Sequence, residues 1–190
     1  PYVNEGEKDS TIIQQVLPVN GKEFEASGSG SKKPLGWHIE NIHEVFPPGQ
    51  ILLNCLRGDP RAITEFLTLS TILEDLPLWA LRSLQKDEFI MTTGPTYGQP
   101  VALRKPILSK DAKGVMHIRF NENPGRIEPL TKEAEKALDY FKVYLQTRET
   151  VKVCLEPGDL VIISNTRALH RRGAFQPSTM GPMKRWLQRM

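Results

Sequence analysis

Trp37-His38-Ile39-Glu40 is the stretch whose reading decides the fold. Two potential metal ligands stand at i and i+2, with apolar residues between and before them. Read as a strand, the stretch projects His38 and Glu40 from one face, where both can reach a single ion. A histidine and a carboxylate are two of the ligands of a three-ligand face that leaves coordination positions open. The third ligand is then expected from a distant strand. His170 fits, because it follows Pro157-Gly158-Asp159-Leu160-Val161-Ile162-Ile163, a turn that leads into a buried strand. The competing reading makes His38 and His170 core histidines bonded to backbone.

The composition is that of an ordinary globular chain. With 190 residues, 39% hydrophobic and 25% charged, it can bury one core as a single domain spanning 1–190. A net charge of +3 gives no concentrated basic surface, so nucleic acid is not an expected partner. No apolar run approaches membrane-spanning length, and the N-terminal residues carry no signal-peptide pattern. The expectation is a soluble, cytoplasmic protein without a membrane partner. Cys55 and Cys154 lie in apolar, strand-like runs and read as buried free thiols.

Outward from the opening stretch, Ala26–Pro34 is Gly/Ser-rich and reads as a flexible loop, either a lid or a simple connector. Strands are expected at Ile12–Val19, Ile51–Arg57, Glu88–Thr93, Val151–Leu155, Leu160–Ser164 and Lys184–Gln188. Val101–Ser109 and Val115–Asn121 read as a pair joined by the Lys110–Gly114 turn. Leucines 67, 69, 73, 76, 78, 81 and 84 predict two short helices within 61–86, broken at Pro77. Thr131–Arg148 is the strongest helix, capped by Thr131, with Ala134, Ala137, Leu138, Phe141 and Leu145 on one apolar stripe. Many short strands with two helical insertions predict a mainly β fold, a jelly roll (double-stranded β-helix) core with flanking helices.

These residues resemble a known family. Trp37–Glu40 with Leu53-Asn54-Cys55-Leu56-Arg57 is similar to the proximal motif of clavaminate synthase-like oxygenases. Gly158–Asn165 with Ala168–Phe175 resembles their distal-histidine segment, and Arg185-Trp186-Leu187-Gln188-Arg189 their cosubstrate strand. This subgroup of the taurine-dioxygenase superfamily uses glutamate where most relatives use aspartate, as at Glu40. Its members include asparagine, arginine and lysine oxygenases of natural-product pathways.

The resemblance implies an Fe(II)/2-oxoglutarate-dependent dioxygenase that consumes O2 and hydroxylates an unactivated C–H of a free amino acid. His38, Glu40 and His170 would bind Fe(II), although Mn, Co, Ni or Zn suits the same ligands. Arg185 would hold the distal carboxylate of 2-oxoglutarate. Thr64 is either the threonine that helps it or an ordinary helix-start residue. Arg189 binds a carboxylate of cosubstrate or substrate, or faces solvent. Substrate contacts are expected from Asn121, Glu122, Asn123 and Arg172, with Glu44 as a further acid. Arg119-Phe120-Asn121-Glu122-Asn123 carries amides where arginine-hydroxylating relatives have two acids, which weakens the case for a guanidinium substrate. His43 is expected at a solvent-facing strand end, His117 in a structural role, and Trp37 and Trp186 as strand core. Family chains extend past both ends of this one, so a truncated domain is expected. The alternative is a catalytically degenerate relative that binds metal or ligand without turnover.

Overall fold

The computed structural model describes residues 12–93, 101–177 and 184–190. Two four-stranded sheets form the centre. Their strands are β1 (Gln14–Val16), β2 (Leu35–His38), β3 (Gln50–Arg57), β4 (Ile63–Thr68), β10 (Val151–Cys154), β11 (Leu160–Ser164), β12 (Ala168–Arg172) and β13 (Trp186–Arg189). One sheet runs β1-β13-β3-β11 and the other β10-β4-β12-β2, with antiparallel neighbours throughout. Non-consecutive strands lie side by side in both, the crossed connectivity of a jelly roll.

Period-two alternation sorts the side chains of the second sheet. Leu67 and Leu169 point outward to the large core, and Trp37 joins them. Phe66 and Ala168 point inward and meet Ile51, Leu53, Val161 and Ile163 of the facing sheet. His38 and His170 are direct cross-strand partners, so the same alternation turns both imidazoles inward.

The outer face is covered by α1 (Leu69–Asp75), α2 (Leu78–Leu84) and α3 (Lys132–Thr147). Two small sheets accompany them: β5 (Phe89–Thr92) with β6 (Ala102–Arg104) and β9 (Ile127–Pro129), and the β7 (Leu108–Lys110)–β8 (Met116–Ile118) hairpin. Thr131 caps α3 by accepting the Ala134 N–H at 3.1 Å. The expected stripe is buried, and Phe141 packs edge-on to Phe120 at 4.9 Å. Replacing Phe141 with alanine is expected to cost about 3–5 kcal/mol, read as a lowered urea midpoint. No helix among the described residues is long and apolar enough to cross a membrane.

Several expectations need correction. The segment read as the start of a helical run is β4: its leucine spacing matched a helix, but Ile63, Thr64, Phe66 and Thr68 are strand formers. Thr64 is therefore no helix-start residue. Val101–Ser109 is not one strand either; β6 pairs with β5, and only β7 forms the hairpin with β8. β2 stops at His38, and Asn41 takes the left-handed conformation at φ 57° immediately after Glu40, a bend that asparagine tolerates. Cys154 is exposed, because β10 is an edge strand, whereas Cys55 is buried between the sheets. His43 is buried rather than solvent-facing. Trp186 is only partly buried and donates its indole N–H to Gln15 Oε1 at 2.6 Å. The early part of the Ile12–Val19 expectation is shortened to β1.

Candidate metal centre

The opening motif and its distant partner meet where β2 and β12 run side by side. Ligand atoms of His38, Glu40 and His170 all lie within 4.8 Å of one another. Each histidine Nε2 stands 3.7 Å from the same Glu40 Oε1. Two imidazole nitrogens and a carboxylate on one side suit a divalent transition metal and leave the pocket side open. Glu40 reaches this point from beyond β2, two residues after His38 and just before the left-handed Asn41.

The residues behind the ligands fix their orientation. His38 Nδ1 lies 2.8 Å from Gly36 O, which assigns the proton to Nδ1 and turns Nε2 toward the site. A Cβ at Gly36 would stand 3.2 Å from Glu122 Cβ and 2.9 Å from Glu122 Oε2, so a side chain there would have to displace that carboxylate oxygen. That oxygen accepts the Trp37 N–H at 2.9 Å, locking β2 against the 120–122 segment. Asn165, fully buried, accepts the Glu40 N–H at 2.9 Å and donates to Glu40 O at 3.2 Å and Pro48 O at 2.8 Å.

Charge is concentrated here. Burial raises the Glu40 carboxyl, but Arg189, His170 and His38 outweigh it and hold the group well below the usual carboxylate range. Arg189 Nη1 is 2.7 Å from Glu40 Oε1, and its Nε donates to Gln14 Oε1. Burial, with His38 beside it, pushes His170 from its ordinary 6.5 down to about 4. The folded chain thus keeps His170 neutral where the unfolded chain binds a proton. The resulting stability is complete above pH 6.5 and is lost as pH falls from 6.5 toward 4. Thermal melts of the metal-free protein should show Tm dropping across that window, with a shallower drop in a His170→Gln variant.

The pocket in front of the triad is lined by both sheets. Thr64, Asn121, Asn123, Arg172, Arg185 and Arg189, all selected from the sequence, lie on its wall. Arg185 is buried, sits 5.9 Å over the Phe175 ring and forms no ion pair with an acid among the described residues. Burial lowers its pKa. Glu122 does not line the pocket, being held by Trp37 N and Gln146. Glu44 lies outside it too, 3.7 Å from His43 Nε2. His117 bonds to Thr166 and Asp111, away from the pocket.

Arg172 has a second engagement. Its guanidinium donates to the carbonyls of Ser27, Ser31, Lys33 and Gly173, at 3.0–3.4 Å. Burial and neighbouring Arg185 bring its pKa down to about 10. The Gly/Ser-rich 26–34 segment is thereby tied to β12, and at Gly30 any Cβ would collide with Glu25 O at 1.9 Å. Sequence reasoning missed Arg126 and Arg171 on the pocket wall and Asn165 behind Glu40. Arg171 ion-pairs with Glu65 at 2.9 Å and stacks on Trp37 at 4.6 Å. Its place beside His170 was a visible signal; Arg126 and Asn165 had none beyond their polarity.

A jelly roll with a histidine-glutamate-histidine face between its sheets defines a class of mononuclear metal-site proteins. The chain belongs to the taurine catabolism dioxygenase TauD, TfdA family, whose model matches residues 78–190. It is 29% identical over 187 residues to an L-asparagine oxygenase of Streptomyces coelicolor, covering 96% of this chain and 54% of the relative. It is 28% identical to an L-lysine 3-hydroxylase of Catenulispora acidiphila, covering 91% and 49%. A solved asparagine oxygenase in complex with Fe(II), 2S,3S-3-hydroxyasparagine and succinate superposes with TM-score 0.84 at 30% identity, over 97% of this chain and 57% of that one. The chain thus spans about half the length of the curated relatives it matches.

Proposed function

We propose that this chain forms the metal and cosubstrate half-shell of an Fe(II)/2-oxoglutarate-dependent oxygenase that hydroxylates an unactivated C–H of an amino acid. The observation that carries the reading is the convergence of His38, Glu40 and His170 beside the buried Arg185, which has no ion pair among the described residues, in one pocket. In the proposed reaction R–H, 2-oxoglutarate and O2 become R–OH, succinate and CO2. Bound Fe(II) would supply dioxygen activation coupled to decarboxylation, one oxygen atom going to succinate and the other to the substrate.

The chain's own residues do the rest. His38, Glu40 and His170 present three donors on one side, so cosubstrate and dioxygen can bind on the other. Arg185, held by burial on Phe175, would take the distal carboxylate of 2-oxoglutarate bidentately, with the Thr64 hydroxyl on the same wall as a second donor. Arg189, paired with Glu40 Oε1 at 2.7 Å, would orient that carboxylate ligand or hold a carboxylate of cosubstrate or substrate. Free cysteines agree with a reducing, cytoplasmic setting.

The test is succinate formation from 2-oxoglutarate after anaerobic Fe(II) loading and exposure to oxygen, across a panel of free L-amino acids. Amino-acid-dependent succinate that disappears in a His38→Ala variant supports the reading. Binding of metal and 2-oxoglutarate with no turnover on any amino acid points instead to a degenerate relative.

A further inference from the structure

In the register of the second sheet Phe66, His170 and His38 stand side by side, and a bridge continues the row to Asn121. Glu65, Arg171, Trp37 and Glu122 are their sequence neighbours. Alternation turns the histidine row toward the pocket and its neighbours toward α3, where the Trp37 indole N–H donates to Leu145 O at 3.2 Å.

The two histidine strands fall out of step just beyond that row. His38 pairs with His170, but Leu35 pairs with Arg172, so Gly36 and Trp37 together oppose Arg171. Such a β-bulge re-aims the side chains beside it. Here it sets Gly36 O against His38 Nδ1 at 2.8 Å. Because the register changes by one residue across the bulge, its place along β2 decides what faces the metal. Moved past His38, it would pair His170 with Trp37 and turn His38 away from the pocket.

Arg171 sits directly on the bulge. Its guanidinium lies 4.6 Å over the Trp37 ring and donates to Glu65 Oε2 at 2.9 Å and to Gln146 Oε1 at 3.3 Å. Thr150 donates to the same Glu65 oxygen at 2.7 Å. Gln146 carries the link on to Glu122 Oε1, and Glu122 Oε2 accepts the Trp37 N–H at 2.9 Å. A circuit thus runs from β4 through β12 and the end of α3 back to the bulged residue. Only a planar, forked cation can stack on an indole and reach two acceptors at once; lysine offers one point charge.

We propose that Arg171 is a positioning residue for the metal centre: it pins the bulge at Gly36–Trp37 and so fixes the aim of His38 against His170. The two imidazoles it holds have ring centroids 4.2 Å apart. The proposal rests on the metal-centre reading above and adds to it a residue that touches neither metal nor substrate.

Co(II) and Fe(II) binding to the full chain tests this without turnover. Equilibrium dialysis under argon gives both affinities, and the visible ligand-field spectrum of bound Co(II) reports ligand geometry. Arg171→Gln is expected to weaken both ions about tenfold, the lower end of the range for groups that orient ligands, and to change the Co(II) spectrum. Arg171→Lys, which keeps a charge for Glu65 without the fork, should fall between it and the unaltered chain. Phe141→Ala is the control for lost stability: a lower urea midpoint with affinity and spectrum unchanged. Should Arg171→Gln fail to fold, Arg171→Lys decides by the same two readings. Arginine variants with unaltered affinity and spectrum, or the same spectral change in Phe141→Ala, overturn the proposal. The unaltered chain separates the two levels. If it binds the ions and the arginine variants match it, only the role of Arg171 falls. If it binds neither ion, the metal-centre reading falls and the proposal with it.

Discussion

Replacing His170 with alanine is expected to abolish stoichiometric Fe(II) binding and reduce metal-dependent succinate formation to background. The reason is geometric. His170 Nε2 and His38 Nε2 converge on one carboxylate oxygen at 3.7 Å each, and the three-ligand group among the described residues contains no further histidine, cysteine or acid to replace either. Asn165→Ala provides the graded comparison. It leaves all three ligands in place but removes the amide that grips both Glu40 N and Glu40 O. Loss of such an orienting group should weaken metal affinity by about 10–100-fold rather than eliminate it. Equilibrium dialysis against Fe(II) under argon reads both variants. Equal losses for the two would indicate that folding, rather than ligation, had been damaged, and circular dichroism on the same samples separates those cases.

Arg185→Met is expected to move activity and stability in opposite directions. A buried guanidinium with no ion pair among the described residues destabilises the ligand-free fold, so removing the charge while keeping an apolar stem against Phe175 should raise Tm. The same change deletes the proposed anchor of 2-oxoglutarate. Truncating one side of a buried charge pair typically costs 2–5 kcal/mol, so the 2-oxoglutarate KM should rise by roughly 30-fold or more. A merely structural arginine would show the reverse pattern, lower Tm with unchanged KM.

The legibility of the molecule followed the range of the interactions involved. His38, Glu40 and His170 could be chosen from sequence because each sits in a local pattern, a ligand pair or a turn-strand-histidine run, and Arg185 because it follows a Pro/Gly-containing loop in a segment resembling the family's cosubstrate strand. The α3 helix was legible for the same reason: its cap and its apolar stripe are local. β4 was hidden because Leu67 and Leu69 straddle the boundary between a strand and a helix, and spacing alone cannot place that boundary. Asn165 and Arg126 were hidden for a different reason. Asn165 acts on Glu40 across 125 residues, and Arg126 reaches the pocket only through the turn between β8 and β9. Glu122 was the opposite case: its charge suggested a substrate contact, and the register of β2 directs it to the Trp37 N–H.

The most direct measurement of the central claim is an anaerobic calorimetric titration of 2-oxoglutarate into the chain with and without Fe(II). The account predicts stoichiometric binding that is strengthened by the metal and lost together with it in the His38→Ala variant. Binding that ignores the metal and survives that variant would contradict it.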